Sequence, residues 1–242
     1  LYYRDGCDEL LFLDTVASLY QRSFDCEIVR RVADEVFIPL TVGGGIRTVA
    51  DAVELLRAGA DKVAVNTAAL RRPQLLRELS QAIGCQSVVS YIEAITRGTW
   101  WECLSDGTRE PSGRDAVDWA ARATDMGAGE ILLLAVHQDG LGWGYDLELI
   151  REVTSKVNVP VIALGGAGSP AHFVEAIEAG ADAVAASSLF HYGIAKQLYG
   201  EEEVLEGATQ VLQGRRGMEP RWQGTIGDLK EFLAKAGVPT RR

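Results

Sequence analysis

The chain has 242 residues, 47% of them hydrophobic and 24% charged, the balance of one large folded domain rather than of a disordered or low-complexity segment. Its 34 acidic and 24 basic residues leave a net charge of −10, which argues against a broad electrostatic grip on nucleic acid or an anionic membrane and leaves room for an anionic small ligand held by local donors. No apolar run reaches the roughly 18 residues of a membrane span and no leader-like segment precedes the first strand-like run; with Cys7, Cys26, Cys85 and Cys103 scattered and the three histidines forming no ligand pattern with them, the expectation is a cytoplasmic protein with reduced thiols and no metal site.

Short aliphatic runs alternate with amphipathic stretches. The runs are Leu10–Asp14, Ile38–Gly43, Lys62–Asn66, Ser87–Glu93, Glu130–Val136, Val161–Gly165 and Ala183–Ser187; the helical patterns between them include TVADAVELLRAGA, RPQLLRELSQAIG, GRDAVDWAARATDMG, DLELIREVTSKV and SPAHFVEAIEAGA. Thr48, Asp146 and Ser169 are placed to cap helices, Pro73 and Pro170 suit a first turn, and Gly59, Gly84, Gly127 and Gly180 stand where helices should stop. Strict alternation of strand and helix means parallel strands joined by crossovers. Residues 97–113 read as a hairpin with its turn at Asp106-Gly107, placed to lid the strand ends, with Trp100 and Trp101 packing on it by default or, alternatively, on a ligand. Residues 193–224 read as a helical insert, and a final helix over 227–237 closes the outer layer.

The chain repeats at one offset. Gly44, Gly45, Val53, Glu54, Gly59, Ala60, Asp61 and Val63 return 121 positions later as Gly165, Gly166, Val174, Glu175, Gly180, Ala181, Asp182 and Val184, and GCDELLFL meets GAGEILLL at the same spacing. Two fused half-units of several βα modules fit a (βα)8 barrel, one continuous domain over 1–242, better than an open doubly wound sheet. Only seven strands are found. LYYRDG reads as the end of a helix whose strand is absent, so the expectation is that strand 1 is missing and that Leu1 is not the biological start; the alternative is that another segment or chain covers the bare edges.

Two glycine-rich strand ends, Gly43-Gly44-Gly45 and Gly165-Gly166 with Gly168, each precede a helix, where backbone N–H groups and the helix N-terminus favour an anion. The next strand of each half ends in small polar pairs, Asn66-Thr67 and Ser187-Ser188. Tight turns explain the glycines equally well, but matching polar ends in two copies favour two phosphate cradles at one barrel mouth, and a ligand phosphorylated at both ends. Asp14, Glu93 and Asp139-Gly140 stand at C-terminal strand ends, the active-site face of such a barrel; each is a candidate for binding or proton transfer, or a solvated acid. His137 is read as a loop histidine. Near the opposite ends, Glu9, Lys62 and Glu130 read as a structural salt-bridge ring or as a polar gate through the barrel axis.

The motifs DELLFLDTVAS, PLTVGGGIRT, GADKVAVNTAAL, GAGEILL, DGLGWGYDLELI and PVIALGGAGS, from Leu1 to Phe190 and again in GDLKEFLAKAGV, resemble the cyclase subunits of imidazole glycerol phosphate synthase. The resemblance implies a ribulose-phosphate-binding barrel built of two halves. It implies a lyase and cyclase of histidine biosynthesis that needs no cofactor or metal and uses ammonia from a glutaminase partner. The substrate would be a bis-phosphorylated phosphoribulosyl-formimino carboxamide ribonucleotide, and the products imidazole glycerol phosphate and an aminoimidazole carboxamide ribonucleotide. Phosphate binding would fall to Gly45, Asn66, Thr67, Gly166, Gly168 and Ser188. Asp139 would be a mouth acid, Asp61 would face the glutaminase, and Glu9, Lys62 and Glu130 would be gate residues. One of two proton-transfer carboxylates matches Glu93, where the family pattern has Asp; the other belongs to the absent strand. Leu134-Ala135 stand where the pattern has Thr and Ser, and His137-Gln138 where it has Asp-Arg. Two further readings stay open beside the cyclase: a paralogue supplying ammonia for nucleotide-sugar amidation, and a non-catalytic scaffold barrel.

Overall fold

The computed structural model describes residues 2–191, 222 and 224–241; the expected insert at 193–224 lies almost wholly outside them. Seven parallel strands pair in the order β1 (Leu10–Leu13), β2 (Leu40–Gly43), β3 (Lys62–Val65), β4 (Val88–Thr96), β7 (Glu130–Ala135), β8 (Val161–Leu164) and β9 (Ala183–Ala185). A hairpin of β5 (Trp101–Ser105) and β6 (Glu110–Asp115) runs antiparallel off the far end of β4. The helices are α1 (Cys26–Ala33), α2 (Val49–Arg57), α3 (Thr67–Arg71), α4 (Gln74–Ile83), α5 (Ala116–Asp125), α6 (Leu147–Thr154), α7 (Pro170–Glu178) and α8 (Ile226–Lys235). Outer edges of β1 and β9 carry no strand among the described residues.

Period-two alternation decides what each face buries. Ala64, Val89, Leu132 and Ile162, joined by Leu11, Leu13, Tyr91, Leu164 and Ala185, form an inner cluster drawn from six strands. Their neighbours Val42, Val63, Val88, Ile92, Ile131 and Leu133 face outward onto Leu55, Leu75, Leu79, Trp119 and Leu149 of the helices. One cluster shared by β1 and β9, the two ends of the path, requires the sheet to curl around an axis, as in a TIM barrel.

Helix ends follow local chemistry. Thr48 and Asp51 make a reciprocal capping box at α2, and Asp146 Oδ1 accepts from Leu149 N at α6. Ser169 holds the N-cap position of α7, but its side chain makes no cap bond, and Pro73 sits at the N-cap of α4 rather than within its first turn. After α2, α5, α7 and α8 the same pair of bonds recurs, as in Gly59 N to Leu56 O and Ala60 N to Leu55 O, with the glycine at positive φ. Tyr2–Cys7 makes that pair too: Gly6 N donates to Tyr3 O, Cys7 N donates to Tyr2 O, and Gly6 has φ +90°. This is the bonding with which those four helices finish.

The repeat is physical as well as textual. Leu40 N donates to Asp61 Oδ2 at 2.8 Å, and 121 positions on Val161 N donates to Asp182 Oδ2 at 2.9 Å. Val42 pairs with Val63 as Ala163 pairs with Val184. Gly59 (φ +112°) leaves room for Ala33, and its counterpart Gly180 (φ +110°) for Thr154, itself the counterpart of Ala33. Since the two aspartates do the same work, Asp61→Ala and Asp182→Ala should each cost about 1 kcal/mol and agree within about 0.5 kcal/mol. Denaturant unfolding of the isolated chain checks this; costs differing by more than about 1 kcal/mol would contradict the equivalence of the halves.

Candidate active site

All seven barrel strands run parallel, so their C-terminal ends share one rim. Asp14, Gly44, Gly45, Asn66, Thr67 and Glu93 line a single small cavity there, with Leu13, Tyr91 and Gly107. It encloses about 40 Å³, space for no more than a few waters.

Glu93 lies at its floor, 4% exposed. On β4 it pairs with Leu134 of β7 on one side and Leu104 of the hairpin on the other, so the hairpin strips water from it. Burial pushes its carboxyl up to about 7; the Thr108 N–H, the Tyr91 phenol and the Asn66 amide ease it back down, while Asp106 adds a further upward push. Thr108 N donates to Glu93 Oε2 at 3.0 Å, and Asn66 Nδ2 donates to the same oxygen at 2.9 Å and to Leu104 O at 3.0 Å. A carboxyl with this pKa exchanges protons readily at neutral pH. The phenol of Tyr91 is held well above its ordinary value by burial, then by the charges of Glu93 and Asp139. That places Asp139 within electrostatic reach of the same floor. The residue as a whole is exposed, yet surrounding protein shields its carboxyl enough to raise it.

The glycines have a packing reason of their own. A Cβ on Gly44 would lie 2.3 Å from Asp14 O, on Gly45 2.4 Å from Arg22 O, on Gly166 2.0 Å from Gly144 O and on Gly168 2.1 Å from Gly142 O. Each lets a strand end touch the loop that follows the neighbouring strand. Gly168 N–H is already given to His172 Nδ1 at 3.1 Å. Asp14 is tied to Arg22 Nη2 at 2.6 Å, and Thr67 Oγ1 accepts from Asp106 N at 2.9 Å. The second group of candidates, Asp139, Gly140, Gly165, Gly166, Gly168, Ser187 and Ser188, lies along the ends of β7, β8 and β9 outside that cavity.

Tyr91 shares its strand face with Glu93, as the alternation along Ser87–Glu93 indicates. Other contacts escape a reading of the sequence. Trp101 does pack, as expected, but its Nε1 also donates to Asp146 Oδ2 at 2.7 Å, and His137 Nε2 lies 3.1 Å from that oxygen. So one aspartate joins the hairpin base, the loop after β7 and the start of α6.

At the opposite end Lys62 Nζ sits 2.7 Å from Glu130 Oε2 and 3.0 Å from Glu9 Oε2. Burial works to lower this ammonium, but its hydrogen bonds to Glu130 and Glu9 outweigh that and hold it above its ordinary value. Burial raises Glu130, partly offset by Lys62. Asp61 is exposed and occupied in fastening the start of β2.

Comparison with known proteins gives the family. The family model described as "Histidine biosynthesis protein" matches residues 1–196. The HisF subunit of imidazole glycerol phosphate synthase from Thermococcus gammatolerans is 43% identical over 240 residues, covering 99% of this chain and 84% of that one. Its namesake from Nocardioides is 54% identical over 248 positions, with 99% and 85% covered, and that from Streptomyces coelicolor is 54% identical over 194 residues, with 80% and 77% covered. With the barrel, its internal repeat and this degree of likeness in hand, the chain belongs to the histidine biosynthesis protein family, among the HisF subunits of imidazole glycerol phosphate synthase.

Proposed function

We propose that the chain is the cyclase subunit of imidazole glycerol phosphate synthase in histidine biosynthesis. It joins ammonia to the phosphoribulosyl-formimino carboxamide ribonucleotide and releases imidazole glycerol phosphate, an aminoimidazole carboxamide ribonucleotide and water. The observation that carries this reading is a buried carboxyl, Glu93, poised near neutrality in the same cavity as Gly44, Gly45, Asn66 and Thr67. Neither sugar amidation nor a scaffold role finds support in the three relatives named above, each of which bears the synthase subunit's name.

In this reading one phosphate of the substrate is held by Gly44, Gly45, Asn66 and Thr67. The other is held by Gly165, Gly166, Ser187 and Ser188, with Gly168 shaping the turn. Asp14 and Asp139-Gly140 border the space between. Glu93 takes and returns protons as ammonia adds and the carbon–nitrogen bond of the departing ribonucleotide breaks, its carboxylate form steadied by Thr108 N–H and Asn66. Glu93 carries one methylene more than the usual aspartate, and the hairpin donors suit that longer reach. Ammonia arrives from a glutaminase subunit docked at the Glu9, Asp61, Lys62 and Glu130 end, and travels along the lumen in a cytoplasmic complex. Among the described residues no helix is long and apolar enough to cross a membrane.

Glu93→Gln should lower kcat by about 10²-fold or more while the affinity for a two-phosphate ligand stays within about threefold; steady-state kinetics with ammonia and calorimetry read the two, and full turnover would remove Glu93 from the chemistry. The same substitution has a signature in stability. A carboxyl raised from 4.5 to about 7 on folding binds its proton more tightly in the native state. Stability is therefore lost as pH climbs between those values, by on the order of 3 kcal/mol from this group. Denaturant unfolding should show Glu93→Gln gaining on the parent by that amount between pH 4 and pH 8, and a difference that does not change with pH would contradict the burial argument. Finally, Lys62→Met should depress glutamine-driven turnover in the reconstituted complex more than turnover with free ammonia; equal losses would assign Lys62 a structural role alone.

A further inference from the structure

The hairpin tip is held over the first pocket by more contacts than a lid needs. Asp106, Gly107 and Thr108 all adopt positive φ, at +52°, +66° and +66°. This compact turn aims two successive chain directions at the site. Asp106 N donates to Thr67 Oγ1 and Thr108 N to Glu93 Oε2. Gly107 lies against the loop after β1, where a Cβ would come within 2.5 Å of Thr15 O. The Asp106 carboxylate, 11% exposed, meets Arg71 Nη2 at 2.6 Å. Asp106 thus presents an anion beside the place where the reading above seats a phosphate, and its N–H rests on the Thr67 hydroxyl oxygen.

Arg71 is the complementary piece. It stands four residues after Thr67 on α3, so both side chains project from one helix face a single turn apart. Both also touch Asp106, which brings guanidinium and hydroxyl within reach of one ligand-sized group. The Arg71 side chain is 68% exposed, so its end of the bond to Asp106 stands open to water and to a competing anion. A phosphate dianion offers it a bidentate, more highly charged partner. With the tip seated, the cavity of about 40 Å³ is smaller than a phosphorylated sugar fills, and displacing the tip would widen it.

We propose that Arg71 is a phosphate-binding residue held in reserve by Asp106: a phosphoryl group of the substrate takes Arg71 from Asp106, and this exchange releases the hairpin tip from the first pocket. The inference rests on the proposed reading of that pocket as a phosphate site. It makes Asp106 an internal competitor, so the two members of one ion pair act in opposite senses on ligand affinity. An ordinary structural ion pair does not.

The test uses the full chain carrying Ser188→Asp, which places a carboxylate in the second pocket so that only the first is read. Inorganic phosphate and glycerol phosphate are titrated calorimetrically, and amide exchange is followed at residues 104–109. Arg71→Ala should weaken glycerol phosphate about tenfold, and Asp106→Asn should tighten it several-fold. Saturating glycerol phosphate should speed exchange at the tip of the parent. Should both substitutions shift affinity the same way, or saturating ligand leave tip exchange unchanged, the exchange mechanism is overturned while the pocket stands. A site that takes inorganic phosphate but not the monoester also overturns it. Absence of any binding by the parent overturns the pocket reading itself, and the inference with it.

Discussion

Lys62 reaches carboxylates that stand on β7, two places along the sheet on one side, and just before β1, two places along on the other. Across a flat sheet those groups would be about 10 Å from its own strand in opposite directions; they converge because the sheet curls until every second strand points at a common axis. The inner cluster, the enclosed lumen and the single rim of strand ends all follow from that curl. The helices of the crossovers pack on the outer face of the sheet, and small residues such as Ala64 and Ala185 leave room inside for the larger Leu132 and Tyr91. An ion triad where the lumen begins is dear in desolvation, which is visible in the raised carboxyl of Glu130. It survives because one ammonium serves two acids.

Glu93 shows how an appended element alters chemistry without touching the barrel. Strand β4 continues past the rim, and beyond its last pairing with β3, at Ser90, it takes up the hairpin as an antiparallel partner from Glu93 onward while still paired with β7. The carboxyl is thereby roofed over, and its protonation midpoint moves up to about 7 through lost hydration, tempered by donors from the same hairpin. One element both dries the acid and supplies the N–H group that keeps it partly ionised.

Much of this could be read from the residues. The strand cores, the helix stops at Gly59, Gly127 and Gly180, the hairpin with its turn at Asp106, and the half-length repeat all come from local patterns. Five of the observed strands stop short of the expected runs because their last residues belong to the rim rather than to the ladder, whereas β2 loses Ile38 and Pro39 at its start and β4 runs on to Thr96 to meet the hairpin. Helix α1 is missing from the pattern reading: its apolar residues are few among charges, and only Asp25, whose side chain accepts from Glu27 N, announces it. Helix α3, five residues long, is too short for a period to show. The glycines remained ambiguous in sequence between cradle and tight turn, and the structure supplies a packing reason for them in the loops of Asp14, Arg22, Gly142 and Gly144. What no window of sequence reveals is the environment of Glu93, since Asn66, Leu104 and Thr108 reach it from separate elements.

The shared aspartate at the start of α6 has a mechanical corollary. Asp146 holds the indole of Trp101 at the root of the hairpin and the imidazole of His137 beyond β7, while its other oxygen terminates a helix of the second half. The root of the hairpin is thus clamped to the second half of the molecule, and the turn at its far end meets the first half through the Arg71–Asp106 ion pair and the bond from Asp106 N to Thr67 Oγ1. Such an arm is a cantilever: it bends at the tip and not at the base, and whatever lifts the tip from one half leaves it anchored to the other.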